Sequence, residues 1–270
     1  MNRLASIGLG LLLACGASID SADPPTGPNG GCESPTATPG VTNGSITVDG
    51  VRRTYVLAVP AATPAAPLPV YFVFHGAGGS GANYRSWMRF EQNARSAAVF
   101  VYPDGLPDDE GRTGWPDTGG RDIAFFDALL ARIQATTCTD PSRVFVTGFS
   151  YGGYMSNTVG CKRAAVVRGI APLAGGLPWT GGCTGTGTAV WIEHGTRDPT
   201  VTLAQGERAR DYWLGTNGCQ SSTSPVDPVP CQTYQGCAAG DPVVWCAFDG
   251  VHEVPSWTYA AVMGFFDGLR

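Results

Sequence analysis

The chain has 270 residues, of which 43% are hydrophobic and 14% are charged, and its formal net charge is −5. This length suits one large domain or two small ones, and the composition is that of a globular protein rather than a disordered or fibrous one. The acidic net charge and the absence of any run rich in Lys or Arg argue against a nucleic-acid partner.

The N-terminus has the pattern of an export signal. After Arg3, an apolar run extends to Ala14 and is too short to span a bilayer stably. Residues 12–15 (LLAC) also match a bacterial lipobox, in which residues 1–14 are removed and Cys15 becomes the lipidated first residue. The alternative is an ordinary signal peptide that is cut a few residues later. Either pattern predicts an exported protein, extracellular or held as a lipoprotein at the bacterial cell surface or in the periplasm, with acyl chains as its only membrane contact.

The cysteines predict disulfides. The chain has nine, an odd number, but assigning Cys15 to the signal or the lipid leaves eight: Cys32, Cys138, Cys161, Cys183, Cys219, Cys231, Cys237 and Cys246. An even set in an exported chain indicates up to four disulfides. A zinc site is the alternative, but the last four cysteines lack paired C-x-x-C spacing and have no histidine among them.

The first part of the mature chain changes from loop to strand patterns. Residues 15–44 are rich in Pro, Gly, Ser and Thr and predict a flexible tether, followed by a single folded domain over residues 45–270. Residues 45–60 predict a β-hairpin with an Asp-Gly turn. The continuous apolar run 69–74 predicts a buried parallel strand that ends in the loop HGAGGSG.

Strand and helix patterns alternate through the rest of the chain. Strands are predicted at 98–102, 143–148, 167–175, 188–195 and 241–248, and helices at 83–96, 121–137, 203–214 and 256–269. This alternation predicts an α/β fold with a mostly parallel central sheet and helices on both faces. In such sheets, functional sites form at the carboxyl ends of the strands.

The pentapeptide at residues 148–152, GFSYG, matches the G-x-S-x-G nucleophile elbow. The motif needs a sharp turn that exposes the serine oxygen above the sheet, and the flanking glycines remove side chains that would clash. The alternative is an ordinary glycine-containing turn between a strand and a helix. Because a strand pattern precedes the motif and a helix would follow it, we predict that Ser150 is a nucleophile.

A serine nucleophile needs an adjacent base, and the chain has only three histidines. His75 and His194 each precede a glycine at the end of a predicted strand, where a histidine more often orders a loop. His252 follows a late strand and precedes the last helix. A histidine that follows both the serine and the acid in the chain is typical of the α/β-hydrolases, so His252 is the predicted base.

The acid of a triad should lie between the serine and the base, directly after a strand. Asp198 follows the strand that ends at His194, and Pro199 favours a sharp turn there. Its carboxylate would fix the tautomer of His252 and stabilise the imidazolium. The alternatives are Glu193, within the strand itself, and Asp249, close in sequence to His252. Asp211 and Asp241 lie on a helix or loop without such a turn.

An oxyanion hole needs two preorganised donors. One predicted donor is the backbone N–H of Tyr151, directly after the serine. The second should come from the loop at 75–79, where Ala77 is the first choice and Gly76 the alternative. This chemistry requires no metal and no cofactor.

Aromatic residues are candidates for contact with the substrate. Trp115 lies in a loop rich in Gly and Pro after a strand, and Trp257 lies just beyond His252, so these two are predicted to contact the substrate. Three more aromatic residues are each more typical of a core or a rim: Tyr84, Trp87 and Trp179.

Several longer motifs occur together from about residue 50 to the C-terminus. They are FHGAGGSG, YPDGLP, TGW…RDIAFFDALL, CTDPSRVFVTGFSYGGYMSN…GC, HGTRDPTV, NGC and VHEVPSW. In this order they resemble the poly(3-hydroxybutyrate) depolymerase and feruloyl esterase group, the carbohydrate-esterase-family-1-like branch of the α/β-hydrolases. The resemblance implies the α/β-hydrolase fold, and no segment of the sequence looks like a large lid.

Carried over by position, the resemblance also implies that Ser150, Asp198 and His252 are the nucleophile, acid and base. It further suggests that Cys138 and Cys161 form a disulfide, although either could pair elsewhere.

The chain departs from the group beside two of these residues. Some fungal feruloyl esterases have cysteines next to the catalytic serine and histidine, where this chain has Phe149 and Val251, so it is not of that subtype. Many bacterial members have asparagine after the serine, where this chain has Tyr151.

These patterns predict an exported serine esterase that acts through an acyl-enzyme on feruloyl or acetyl esters of plant polysaccharides. The alternative substrate is a polyhydroxyalkanoate such as poly(3-hydroxybutyrate), since fold alone does not fix a substrate. An alternative of another class is a non-catalytic binding protein of the cell surface that retains the hydrolase fold.

Overall fold

A computed structural model describes Cys32 and residues 35–61, 66–178 and 182–269. The predicted signal at 1–14, Cys15, most of the predicted tether and Trp179 lie outside the described residues.

Most strands of the described chain join one large sheet. The strands are β1 (Gly40–Val48), β2 (Val51–Val59), β3 (Leu68–Phe74), β4 (Val99–Pro103), β5 (Leu106–Pro107), β6 (Thr113–Gly114), β7 (Thr139–Phe149), β8 (Gly169–Leu173), β9 (Ala189–Gly195), β10 (Thr223–Pro225), β11 (Gln232–Tyr234) and β12 (Val243–Phe248). The order across the sheet is β1-β2-β4-β3-β7-β8-β9-β12-β11-β10, and β5 and β6 form a separate pair.

The centre of the sheet is parallel. Parallel pairing joins β4, β3, β7, β8, β9 and β12. Antiparallel strands extend it at both edges, with β2 and β1 beyond β4 and with β11 and β10 beyond β12. Every residue of β3, β8 and β9 is buried, as is typical of parallel strands that are covered on both faces. The predicted fold class is confirmed.

Helices cover both faces of this sheet. They are α1 (Gly81–Trp87), α2 (Phe90–Asn93), α3 (Arg121–Thr136), α4 (Tyr151–Lys162), α5 (Leu203–Thr216) and α6 (Thr258–Gly268), with a 3-10 turn at Thr118–Gly120. Buried side chains of α3, α4 and α5 pack in one core, and those of α2 and α6 pack in the core on the opposite face. Alternate residues of β3 enter the two cores, since Phe72 lies in the first and Tyr71 in the second.

The helix predicted at 83–96 is two short helices instead. The chain leaves α1 at Met88, which has extended backbone angles. Met88 and Phe90 are both buried in the second core. One continuous helix could not direct these two side chains to the same side, because residues two apart face different directions on a helix.

The folded region begins before residue 45, the start of the predicted domain. β1 starts at Gly40, and the N–H groups of Thr36 and Ala37 both donate to the carbonyl oxygen of Thr136 over 2.9 Å. The last residues of the predicted tether therefore pack against the end of α3.

The eight cysteines after Cys15 form four disulfides, as their number predicts. The pairs are Cys32–Cys138, Cys161–Cys183, Cys219–Cys237 and Cys231–Cys246. The pairing of Cys138 with Cys161 that the family resemblance suggested is wrong. Thr36 and Ala37 are hydrogen-bonded to Thr136, two residues before Cys138, so Cys32 lies within reach of Cys138. The loop before β9 folds back on α4, where Thr184 N–H donates to Cys161 O over 3.0 Å and brings Cys183 to Cys161.

None of the helices among the described residues is long and apolar enough to cross a membrane.

Glu193, in the central strand β9, is fully buried and fixes the start of α6. Its Oε1 accepts a hydrogen bond from Thr258 Oγ1 over 2.7 Å, while Oε2 has no partner among the described residues. Burial raises the pKa of Glu193 from 4.5 to about 8, so the carboxyl is protonated at neutral pH.

We expect Glu193→Gln to change how stability depends on pH. The unfolded chain releases this proton near pH 4.5 and the folded chain holds it to about pH 8, so the free energy of unfolding falls as the pH rises between these values. A neutral Gln still accepts from Thr258 and removes the linkage. As the pH rises from 5 to 8, the free energy of unfolding of the variant should rise relative to that of the parent by on the order of a few kcal/mol. Urea unfolding at both pH values measures this difference.

Glu110→Gln is the matched control, since the Glu110 side chain is 74% exposed. Equal pH dependence in Glu193→Gln and in the parent would contradict a protonated Glu193.

Candidate active site

Ser150 lies at the carboxyl edge of the sheet, between the end of β7 and the first residue of α4. Its backbone has φ 59° and ψ −119°, in a region that residues other than glycine rarely occupy. Its N–H donates to Leu173 O over 2.9 Å, and its carbonyl accepts from Tyr154 N–H over 3.1 Å. These bonds to β8 and to the first turn of α4 hold the strained turn in place.

The two glycines of the pentapeptide make this turn sterically feasible. A Cβ on Gly148 would lie 2.6 Å from the carbonyl oxygens of both Gly152 and Phe74. A Cβ on Gly152 would collide with Phe74 O as well. The turn therefore packs directly against the end of β3, which leads into the loop at 75–79.

Ser150, His252 and Asp198 form one hydrogen-bonded chain. His252 Nε2 lies 2.9 Å from Ser150 Oγ, and His252 Nδ1 lies 2.6 Å from Asp198 Oδ2. Because a carboxylate only accepts hydrogen bonds, the Nδ1 atom carries the proton, and Nε2 is free to accept the serine hydroxyl. The structure thus brings together the three residues that the sequence analysis selected.

Two loops hold the acid beside the base. Asp198 lies in the turn after β9, and its Oδ1 accepts the N–H groups of Thr200 and Val201 over 2.8 and 2.9 Å. The same turn is bonded to the loop after β12 by Arg197 N–H, which donates to Gly250 O over 2.9 Å. The Asp198 side chain is fully buried, whereas that of His252 is 17% exposed and reaches solvent.

The alternative acids lie elsewhere. Glu193 is bonded to Thr258 inside the core. The side chain of Asp249 is 84% exposed and pairs with Arg197 over 2.8 Å. The last two also contact arginines rather than His252: Asp211 with Arg210, and Asp241 with Arg168.

The other two histidines order loops, as expected. His194 is buried, and its Nε2 donates to Val201 O over 2.7 Å, which closes the turn that carries Asp198. His75 is also buried; its Nε2 accepts Gly105 N–H over 2.8 Å, so its Nδ1 donates to Gly76 O over 2.7 Å. Burial lowers the pKa of both rings and keeps them neutral.

The two predicted oxyanion donors lie in segments that adjoin Ser150. The N–H of Tyr151 opens α4, where helical N–H groups have no intrahelical acceptor. His75 Nδ1 and Gly79 N–H both hold Gly76 O, which turns the Ala77 N–H of the same planar peptide the opposite way. Neither donor has an acceptor within the described part of the chain. A Cβ on Gly76 would lie 3.3 Å from Ser150 Cβ, so this loop adjoins the serine.

Comparison with known proteins gives the family. The chain is 34% identical over 229 residues to feruloyl esterase C of Emericella nidulans, covering 80% of this chain and 81% of that protein. It is 32% identical over 267 residues to "Probable feruloyl esterase C" of Aspergillus niger, covering 94% and 92%. This chain belongs to the feruloyl esterase group. The group resemblance noted in the sequence is confirmed, and the protein is a serine carboxylic ester hydrolase.

Three further comparisons agree with the fold of this esterase. A family model described as the prolyl oligopeptidase family matches residues 111–206, which contain Ser150 and Asp198. The acetyl xylan esterase from Aspergillus awamori superposes with a TM-score of 0.66 at 17% identity, covering 84% of this chain and 99% of that one. A ferulic acid esterase superposes with a TM-score of 0.61 at 12% identity, covering 85% and 98%. At these identities the structural likeness establishes the fold alone.

The two tryptophans predicted to contact the substrate are not equally placed. Trp115 is only 3% exposed, and its Nε1 donates to His75 O over 2.7 Å, so it supports the loop at 75–79 from beneath. Trp257 is half-buried and packs edge-on against Phe248. The sequence pattern around Trp115 did not distinguish a loop that faces the substrate from one that packs under the site.

Phe149 directly contacts His252, the predicted base, and the sequence analysis missed this contact. Its ring centroid lies 4.6 Å from that of His252. The other side of Phe149 meets Trp87, with ring centroids 5.4 Å apart. The one signal in the sequence is that Phe149 stands where some fungal feruloyl esterases have a cysteine beside the catalytic serine.

Ser150 and His252 are both partly exposed, so the site of the esterase can be reached from solvent. No additional helix is inserted after β8 or β12 among the described residues, so no large lid is seen there. Likewise, no group of three or more His, Cys, Asp or Glu side chains in the described ranges could hold a metal ion.

We expect His75→Ala to lower kcat by up to about 100-fold with a small change in KM, because the Gly76–Ala77 peptide loses its anchor. Losing one oxyanion donor typically costs about 100- to 1,000-fold in kcat. This variant displaces the donor without removing it, so the low end of that range is the upper limit. Turnover of p-nitrophenyl acetate measures the effect, with thermal unfolding to show that the variant folds.

His75→Gln is the matched control, since its amide can donate to Gly76 O and accept from Gly105 N–H, and it should retain more of kcat than the alanine variant. A full kcat in His75→Ala, or a rise in KM alone, would contradict the anchoring role.

Proposed function

We propose that this protein removes feruloyl or acetyl groups from plant polysaccharides through an acyl-enzyme on Ser150. The observation that carries the proposal is the hydrogen-bonded chain from Ser150 Oγ through His252 to the buried Asp198. The membership of the feruloyl esterase group supports the ester as substrate.

In the proposed reaction, Ser150 Oγ attacks the ester carbonyl as its proton moves to His252 Nε2. Asp198 stabilises the imidazolium, and the N–H groups of Tyr151 and Ala77 donate to the oxyanion. Collapse of the tetrahedral intermediate breaks the ester bond, and His252 returns the proton to the departing alcohol. Water then attacks the acyl-enzyme with His252 as base, which releases the acid and restores Ser150.

The acyl groups are proposed from the relatives and from the open site. The sequence relatives are feruloyl esterases, and one protein of the same fold is an acetyl xylan esterase. An open approach to Ser150 suits an ester on a polymer, which a closed pocket would exclude. A polyhydroxyalkanoate would fit the same reaction, so it serves as the competing substrate in the test.

We expect wild-type protein to hydrolyse methyl ferulate or acetylated xylan faster than hydroxybutyrate oligomers, and Ser150→Ala to lose at least about 10,000-fold in kcat because it lacks the nucleophile. Released acid, followed by titration or chromatography, measures turnover on each ester. A peptide p-nitroanilide tests for the peptidase activity that the prolyl oligopeptidase match raises.

Ser156→Ala is a matched control for the serine test, because Ser156 is a buried serine of α4 whose side chain, among the described residues, bonds only to Gly152 O. Turnover unaffected by Ser150→Ala would contradict the serine mechanism. No turnover of any ester by wild-type protein would favour the non-catalytic binding protein, and preference for hydroxybutyrate oligomers would favour the depolymerase.

We also propose that the protein is exported and that Cys15 is lipidated. Four disulfides are typical of a protein that matures in an oxidising compartment, and the apolar run before Cys15 supplies the signal.

Expression in a bacterium should give a membrane-associated protein whose N-terminal peptide begins at Cys15 with a diacylglycerol adduct, as measured by mass spectrometry. Cys15→Ser should release the protein from the membrane fraction, because a serine offers no thiol for the lipid. A mature N-terminus beyond residue 15 without an adduct would contradict the lipid anchor, and an intact N-terminus would contradict export.

A further inference from the structure

A hollow on the surface lies beside the active site on the side of His252. We call it the Trp87 hollow. It is formed by the segment from α1 to α2 and by the loop between β12 and α6, and its lining residues are Trp87, Arg89, Gln92, Asn93, Val254, Ser256 and Tyr259. His252 belongs to the second of these segments, so the base and one wall of the hollow share a loop.

Trp87 forms an exposed but fixed wall of this hollow. Trp87 is 44% exposed, more than any other aromatic residue of the described chain. Tyr84 and Phe149 pack edge-on against the Trp87 ring, with their ring centroids 5.2 and 5.4 Å from it. A ring that is held by its neighbours and still exposed can contact a ligand without losing further conformational freedom.

The hollow is close to the reacting atoms. The centroid distances from Trp87 to Phe149 and from Phe149 to His252 are 5.4 and 4.6 Å, so the Trp87 and His252 rings are at most about 10 Å apart. His252 Nε2 in turn lies 2.9 Å from Ser150 Oγ.

The direction of the reaction determines which part of the substrate lies there. In the proposed mechanism His252 Nε2 gives its proton to the departing alcohol, so this alcohol must lie on the His252 side of Ser150. The Trp87 hollow is on that side, whereas the oxyanion donors Tyr151 and Ala77 mark the position of the acyl carbonyl.

The polar lining fits a hydroxyl-rich alcohol. Gln92 and Ser256 are exposed, and their side chains make no hydrogen bond within the described residues. Both can donate and accept, as sugar hydroxyls require, whereas a polyester presents only acceptors along its chain. An aromatic platform with a few adjacent polar groups is the usual lining of a site for an amphipathic ligand.

We propose that the Trp87 hollow binds the polysaccharide chain that carries the ester, with a sugar next to the esterified one lying on Trp87. This inference rests on the proposed function, because it assigns the alcohol part of the same substrate. It makes Trp87 a determinant of specificity for the carrier and not for the acyl group.

The test compares one acyl group on two alcohols: methyl ferulate, and ferulate on an arabinoxylan oligosaccharide. We expect Trp87→Ala to lower the ratio of kcat/KM for the oligosaccharide ester to that for the methyl ester by about tenfold, mainly through KM. Trp87→Tyr should retain most of the ratio because it keeps an aromatic face. Val229→Ala, at a side chain that is 80% exposed and outside the hollow, is the control and should retain it fully.

A binding measurement tests contact with the sugar chain independently of ester hydrolysis. Ser150→Ala protein should bind unesterified xylohexaose in calorimetry, and adding Trp87→Ala should weaken this binding about tenfold. An unchanged kcat/KM ratio in Trp87→Ala would overturn the proposal. So would a tenfold fall in kcat/KM that occurs only with long hydroxybutyrate oligomers. If wild-type protein cleaves ferulate esters and the ratio does not change, only the hollow is refuted; if Ser150→Ala still turns over ester, the proposed function itself fails.

Discussion

The close approach of β3, β7 and α4 at the serine turn is the constraint on which the rest of the site depends. Three backbone segments meet there with no room for a Cβ on Gly148 or Gly152, and Ser150 takes a backbone conformation that its neighbours must stabilise. Because the turn packs on Phe74 O, the loop that follows β3 is brought to the serine. The same contact aims the N-terminus of α4 at the reacting atoms. One steric fit therefore brings together the proposed nucleophile and both proposed oxyanion donors.

The three histidines divide their work according to burial. His75 and His194 each hold a backbone carbonyl, and burial lowers the pKa of both, so they remain neutral hydrogen-bonding parts of the fold. Only His252 has an exposed edge and a carboxylate partner, the combination that a proton-transferring base requires. A second histidine ring beside Asp198 could donate to its carboxylate in place of His252. His194 does not, because its Nε2–H donates to Val201 O.

The local parts of the site could be predicted from the sequence, and the parts that depend on distant packing could not. Ser150 lies in a motif whose backbone geometry is fixed within five residues, and His252 could be selected because only three histidines exist. The pairing of Cys138 depends on where the chain before β1 returns, 106 residues away, which no spacing rule encodes. Trp115 was predicted to contact the substrate because it lies in a loop rich in Gly and Pro after a strand, yet it is 3% exposed and its Nε1 donates to His75 O beneath the site.

Phe149 shows how packing can replace a covalent link. Members of the group with cysteines beside the serine and the histidine can tie those two segments together, but here Val251 is 47% exposed and no such link exists between it and Phe149. The His252 segment is held instead by the Phe149 ring and by the bond from Arg197 N–H to Gly250 O. An aromatic side chain at this position also extends outward to Trp87, which a disulfide could not do. Phe149 therefore packs on His252 and extends this apolar surface to Trp87, the wall of the hollow in which we propose that the alcohol lies.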